Sequence, residues 1–178
     1  QKERYLPPMA EGKEIWCQLF SEPSAGSDVA GLRSKAVQDG ENWIVNGQKV
    51  WTSGAHFSDY GILVVRHDPS LEKHKGLTFF FVDMKSPGIE VKPIKQLTGG
   101  SSFNEVYFND VVIPDSQRLG EIGDGWKVAI TTLMNERLAV GDADGVDANE
   151  AFELAKKHDK DGEQLIDNNA VRESIADW

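Results

Sequence analysis

Three short segments hold the residues whose types and spacing could do chemistry. The first, Gln18-Leu19-Phe20-Ser21-Glu22-Pro23-Ser24-Ala25-Gly26-Ser27-Asp28, mixes hydroxyls with turn formers. Pro23 and Gly26 favour a turn on which backbone N–H groups and the Ser21 and Ser27 hydroxyls can converge on an anionic or heterocyclic ligand. An ordinary surface turn has much the same composition, so this segment alone does not select a site. The second segment, Asn46-Gly47-Gln48-Lys49-Val50-Trp51-Thr52-Ser53, supplies what the first lacks. A ring that can stack and hydroxyls that can bond a ring edge are what a flat, polar-rimmed cofactor needs. The third is Glu136-Arg137-Leu138, where two charges intrude on an apolar helical arc. Buried charges of this kind must pair, reach water or face a ligand. An internal or intersubunit salt bridge is the ordinary reading of such charges on a helix face.

Strands and one long helix must position these segments. From Glu14 to about Leu119 the runs at 15–20, 43–45, 61–65, 77–82 and 105–108 are short and rich in β-branched and aromatic residues. Asn46-Gly47 reads as a type I′ hairpin turn between Trp43-Ile44-Val45 and Lys49-Val50-Trp51, while Pro87-Gly88 and Thr98-Gly99-Gly100 mark further reversals. Strands at this spacing predict a closed or sandwiched antiparallel sheet. After Gly123 the period becomes helical. Asp124 can cap a helix from about Gly125 to Val140, with Trp126, Ala129, Ile130, Leu133 and Val140 on one arc and Arg137 at its centre.

Composition narrows the classes without choosing one. The 178 residues are 39% hydrophobic, enough to bury roughly 70% of the unfolded surface in one or two cores. The net charge of −10 argues against non-specific nucleic-acid binding and against an anionic membrane surface. From Asp142 to Trp178 there are 11 acids and 4 bases, which reads as a solvated helical segment. Cys17 is the single cysteine and fits a small core residue in a reducing compartment. No apolar run approaches the roughly 20 residues of a membrane span. Calcium-like spacings at Asp142-x-Asp144 and Asp159-x-Asp161 lack the loop glycine, and Val146 offers no side-chain oxygen. His56, His67, His74 and His158 have no partner at zinc-ligand spacing, so no metal is expected. No serine-hydrolase elbow, Walker A sequence or dinucleotide-fold glycine turn occurs. The chain starts with Gln1 and stops in a helical pattern, which reads as a fragment.

The first two segments resemble the flavin-binding core of the acyl-CoA dehydrogenases. That family reads approximately hydrophobic-Thr/Ser-Glu-Pro-Gly-Ala-Gly-Ser-Asp, then Asn-Gly-x-Lys-x-Trp-x-Ser/Thr, and the likeness extends from Gln1 to about Gly141. It implies a mainly β chain with flanking helices, built around an antiparallel β-barrel middle domain. Residues 1–13 would end an N-terminal helical domain or linker, 14–120 form the barrel, and 121–178 start a truncated C-terminal helical domain.

The resemblance also implies FAD-dependent α,β-dehydrogenation of an acyl-CoA thioester to a trans-2-enoyl-CoA. It places Gln18, Phe20, Ser21, Gly26, Ser27, Trp51, Thr52 and Ser53 at the FAD, with Trp51 beside the ring system and Ser53 near its N5 edge. Ser27, Ser101, Met134 and Arg137 match positions along the acyl-CoA. Glu136 is the implied base, with a glutamate beyond Trp178 as its rival. Ser24 departs from the family, which usually has Gly there, and a positive φ at that position would strain a serine. Implied partners are an electron-transferring flavoprotein or similar acceptor and further copies of the chain, as a tetramer, in the bacterial cytoplasm or the mitochondrial matrix. The isolated chain is expected to be inactive. A flavin monooxygenase or oxidase on the same fold, or a binding module without chemistry, are the other readings.

Overall fold

The computed structural model describes residues 1–141, 148–157, 159–160 and 163–176, with the backbone alone described at 138–141, 148, 159–160 and 163. The spacings at Asp142, Asp144, Val146 and Asp161, and His158, lie outside the described residues. So do the side chains of Leu138, Val140 and Asp159. Two compact units divide the chain, Gln1–Leu133 and Met134–Trp178.

The first unit is a sheet preceded by helix α1 (Lys2–Ala10). Its strands are β1 (Trp16–Leu19), β2 (Lys35–Asp39), β3 (Asn42–Ser53), β4 (Tyr60–Arg66), β5 (Leu77–Asp83), β6 (Ile89–Ile94), β7 (Phe103–Pro114) and β8 (Arg118–Leu119). They hydrogen-bond in the order β6-β7-β3-β2-β4-β5-β8, with β1 added beside β4. Two features differ from the sequence expectation. The described ladder runs from β6 to β8 without closing into a barrel, and β1 and β2 both pair with β4 in parallel. β1 lies beside the first half of β4, from Tyr60 to Leu63, and β2 meets the same edge at Arg66. The chain between them, residues 20–34, must therefore leave the sheet and return, and it carries the Ser21–Asp28 segment.

Asn46-Gly47 is not a hairpin turn. β3 continues through it, and the β2–β3 reversal falls instead at Gly40, whose φ is +58°. The pair forms an irregularity in the β3–β7 ladder, where the register shifts between Val45 and Gly47. The Asn46 amide donates to Asp110 Oδ1 at 2.8 Å, and its Oδ1 accepts the Asp110 N–H at 3.0 Å. A Cβ on Gly47 would lie 2.2 Å from Ser34 Oγ, so close strand approach, not turning, requires glycine here. Gly88 (φ +89°) and Gly99 (φ +88°) do sit at reversals, as Pro87-Gly88 and Thr98-Gly99-Gly100 predict.

Alternation buries both faces of the central strands. One core joins Leu19, Trp43, Val45, Leu63, Val65, Phe80, Val106, Phe108 and Ile113. The other joins Phe20, Leu32, Val64, Leu77 and Phe79 with Ala129 of helix α2 (Gly125–Gly141). Trp126, Val128 and Leu133 pack against this second core, whereas Ile130, assigned to the same arc from the sequence, is 37% exposed. Asp124 begins α2 by accepting the Val128 N–H on its carbonyl at 3.0 Å, and its carboxylate accepts the Glu121 N–H at 3.2 Å. The second unit adds helices α3 (Ala148–Lys157) and α4 (Asn169–Ala176), with a two-residue strand pair, β9 (Asp159–Lys160) and β10 (Glu163–Gln164).

Candidate functional site

The two segments singled out by composition are adjacent in the structure, and a buried ion pair fastens them. Lys49, fully buried on β3, donates from Nζ to Phe20 O at 3.1 Å and to Glu22 Oε1 at 2.8 Å. The Glu22 carboxylate also accepts the Arg33 N–H at 2.6 Å and the Ser34 N–H at 3.0 Å. Val50 N–H donates to Ser21 O at 2.9 Å, the backbone counterpart of the same connection. Burial pulls the Lys49 ammonium down to about 8 against the opposing pull of Glu22. Burial pushes the Glu22 carboxyl up, but Lys49 and the donors from Arg33 and Ser34 outweigh it and hold the group below the ordinary carboxylate range. The pair holds residues 20–22 against β3 from inside.

Neither partner stood out from sequence as a site residue. The available signal was a lysine at position 49 in step with Trp43 and Val45 along one strand. A charge at such a position demands a buried partner.

Beyond Lys49 the strand bends again. Register shifts a second time between Lys49 and Thr52, and Trp51 takes a φ of +60°, a left-handed conformation unusual for a bulky residue. The bend turns the indole outward, leaving Trp51 60% exposed with its ring edge-on to Phe103 at 6.2 Å. Thr52 is buried, and its hydroxyl has no hydrogen-bond partner among the described residues. Its strand partner Asn104 is buried completely, donates from Nδ2 to Thr52 O at 2.9 Å, and leaves Oδ1 likewise unpartnered. Ser53 is exposed at the strand end.

The remaining predicted residues divide by location. Glu22 and Ala25 exchange backbone hydrogen bonds of 2.8 and 3.0 Å, closing the turn that Pro23 favours. Ser24 is not among the positive-φ residues, so its replacement of the family glycine strains nothing. Gly26 and Ser27 are exposed, and a Cβ on Gly26 would meet nothing within 4 Å. Gln18 is half-buried on β1. Phe20 differs from the rest, because its ring packs edge-on against Phe79 at 5.5 Å in the core. Ser101 is exposed in the β6–β7 connection, two residues before Phe103, which pairs with Ser53. Met134, Glu136 and Arg137 belong to the second unit and are exposed, so of the three outcomes open to the two charges, reaching water is one the structure allows. Among the described side chains of α2, Trp126, Val128, Ala129 and Leu133 are the ones in or against the second core.

Cys17 is buried with Sγ 3.9 Å from Met84 Sδ, and burial pushes its thiol up to about 11. It is a core residue, not a nucleophile. No helix among the described residues is long and apolar enough to cross a membrane.

Comparison with known proteins agrees with this architecture. Residues 17–111 match the acyl-CoA dehydrogenase middle domain, and residues 123–178 match the acyl-CoA dehydrogenase C-terminal domain. The chain is 52% identical over 140 residues to the acyl-CoA dehydrogenase FadE34 of Mycobacterium tuberculosis, covering 79% of this chain and 20% of that protein. It is 33% identical over 184 residues to the caffeyl-CoA reductase-Etf complex subunit CarC of Acetobacterium woodii, covering 99% of this chain and 48% of the relative. The solved butyryl-CoA dehydrogenase of Megasphaera elsdenii superposes with a TM-score of 0.82 at 27% identity, covering 99% of this chain and 48% of that one. The chain thus spans from a fifth to about half the length of these proteins. On these matches and on its own fold, this chain belongs to the acyl-CoA dehydrogenase family.

Proposed function

We propose that the intact protein oxidises an acyl-CoA thioester to its trans-2-enoyl-CoA with FAD, and that residues 14–120 are the domain that holds the flavin. The observation that carries this reading is the end of β3. An exposed indole on a left-handed residue is followed, past buried Thr52, by the exposed hydroxyl of Ser53 at the strand end. The residues fit a flavin. Trp51 offers a ring face, the exposed Ser53 hydroxyl can bond a polar ring edge with buried Thr52 supporting both from inside, and the backbone beside Gly26 has open space for a ligand. Ser21 and Ser27 add hydroxyls around it, Gln18 contributes from β1, and Phe20, just past the end of β1, contributes by its backbone.

When bound, the flavin supplies the two-electron oxidant that accepts the β-hydrogen as hydride. The protein's own part is to orient the thioester and remove the α-proton. Ser27 and Ser101 would hold the CoA portion, and Met134 and Arg137 the path of the acyl arm. The Glu136 carboxylate would take the α-proton; it is exposed in this chain, so the bound thioester must exclude water from it before it can act on so weak a carbon acid. Residues 121–178 would then open the C-terminal helical domain, and 1–13 close the N-terminal one.

Electrons leave to an electron-transferring flavoprotein or a similar acceptor, the kind of assembly named for the Acetobacterium relative. The intact protein works as a homo-oligomer, a tetramer by family resemblance, in the cytoplasm or mitochondrial matrix. An anaerobic visible spectrum of the intact protein tests the reading. A set of acyl-CoA thioesters should contain one that bleaches the flavin band, and Glu136→Gln should abolish that bleaching. A protein that carries no flavin, or a flavin that no thioester reduces, defeats the proposal. Bleaching retained in Glu136→Gln moves the base elsewhere, with a glutamate beyond Trp178 next in line.

A further inference from the structure

We infer that Asn104 is a positioning residue for the flavin-facing edge, through its hold on the Thr52 carbonyl; the inference rests on the flavin reading above. A bulky residue keeps a left-handed backbone only when its flanks are over-determined. On the N-terminal side of Trp51 that is accomplished by Val50 N–H to Ser21 O at 2.9 Å and by buried Lys49 on Phe20 O and Glu22. On the C-terminal side the backbone contributes Gly54 N–H to Ser102 O at 3.1 Å. Between them, at the first residue after the bend, Thr52 rejoins the β3–β7 ladder opposite Asn104, and the Asn104 side chain adds its own hold. Asn104 Nδ2 donates 2.9 Å to Thr52 O.

Asn104 is suited to this because it sits directly opposite Thr52 in the register and is wholly buried, so water does not compete for the carbonyl. The contact fixes the peptide plane after Thr52. That plane anchors the backbone from which Thr52 and, one residue earlier, Trp51 project. The same two residues leave Thr52 Oγ1 and Asn104 Oδ1 buried and unpartnered among the described residues. Buried polar atoms without partners are rare, and two on facing residues mark a place where a further polar group completes the set.

The test uses the intact protein in flavin-loaded and flavin-free forms, labelled with 5-fluorotryptophan and with the Trp51 resonance assigned by Trp51→Phe. Asn104→Leu is expected to raise the FAD dissociation constant tenfold or more and to shift the Trp51 fluorine resonance even without flavin. Asn104→Asp keeps the shape and loses the donor, and gives the same two readouts should the leucine variant fail to fold. Val106→Ala loosens the same strand without touching Thr52, and should leave both readouts near wild type. Wild-type affinity and an unmoved Trp51 resonance in the Asn104 variants would overturn the inference, as would equal losses in Val106→Ala. If the wild-type protein binds no flavin, the proposed function fails, and the Trp51 resonance of the flavin-free variants still decides the positioning role.

Discussion

β3 is interrupted twice against β7, once at Gly47 and once at Trp51, and the two interruptions are solved in opposite ways. At Gly47 the irregularity is closed: Ser34 fills the space where a side chain would stand, and the Asn46–Asp110 pair seals the flank. At Trp51 it is held open. A large residue accepts a left-handed backbone, presents its ring to solvent, and the next residue buries an unpartnered hydroxyl. The first bulge serves packing and the second serves display. Lys49 lies between them and, with Glu22, ties the display to the Ser21–Asp28 turn.

The largest effect should come from breaking that tie. Lys49→Met leaves the Glu22 carboxylate buried without its cation, and loss of one partner of a buried pair costs about 3–5 kcal/mol. Denaturant unfolding of the intact protein should show this loss, and adding Glu22→Gln to Lys49→Met should recover much of it, since no charge is then stranded. A double variant no better than the single one would mean the pair acts through shape and not charge.

The same pair predicts an acid dependence. Glu22 is held below its ordinary value of 4.5 in the folded state, so between its folded and unfolded values the unfolded chain binds more protons. Stability therefore falls as pH drops below about 4.5 toward the folded value. Glu22→Gln removes that part of the slope, which thermal melts across pH 3–6 would detect as a flatter acid limb.

Gly47→Ala comes next. Its new Cβ would meet the Cα of Ser34 at 2.7 Å as well as the hydroxyl, and overpacking of this kind costs about 1–3 kcal/mol. Flavin affinity should hardly change, because this bulge displays nothing. A large loss of flavin with little loss of stability would erase the distinction between the two bulges.

Much of the fold was legible because its strands obey local rules. The apolar runs at β1, β4 and β5 are strands in the structure, as is the run within β7, and the change of period after Gly123 is the start of α2. β2 and β6 were missed, for physical reasons that the burial makes plain. Only Ala36 is buried in β2, which leaves no alternation to read, and β6 is a half-exposed edge strand whose alternation, Ile89-Glu90-Val91-Lys92, spans only four residues before Pro93. Asn46-Gly47 misled because its turn preference is local while its role is set by Ser34 and Asp110, distant along the chain. The open ladder and the parallel pairing of β1 likewise depend on partners that no window of sequence contains.

At the site, hydroxyls and the tryptophan could be singled out by type, whereas Glu22, Lys49 and Asn104 could not. Their importance comes from burial and facing partners, and a polar residue on a strand normally reads as solvent-facing. Ile130 errs in the other direction: helical periodicity assigned it to the packed arc, yet it is 37% exposed, while Glu136 and Arg137 on that arc reach water.

The smallest stability effect has the most telling sign. Trp51→Asn replaces a residue that dislikes the left-handed region with one that tolerates it, and relief of such strain is worth about 1 kcal/mol. The indole is 60% exposed, so its removal sacrifices little burial. The flavin-free variant should therefore melt at or slightly above the wild-type temperature while its flavin affinity falls sharply. Gly47→Ala should do the reverse, losing stability and keeping flavin. If Trp51→Asn instead melts well below wild type, the ring supports the sheet rather than the ligand, and the second bulge is another packing device like the first.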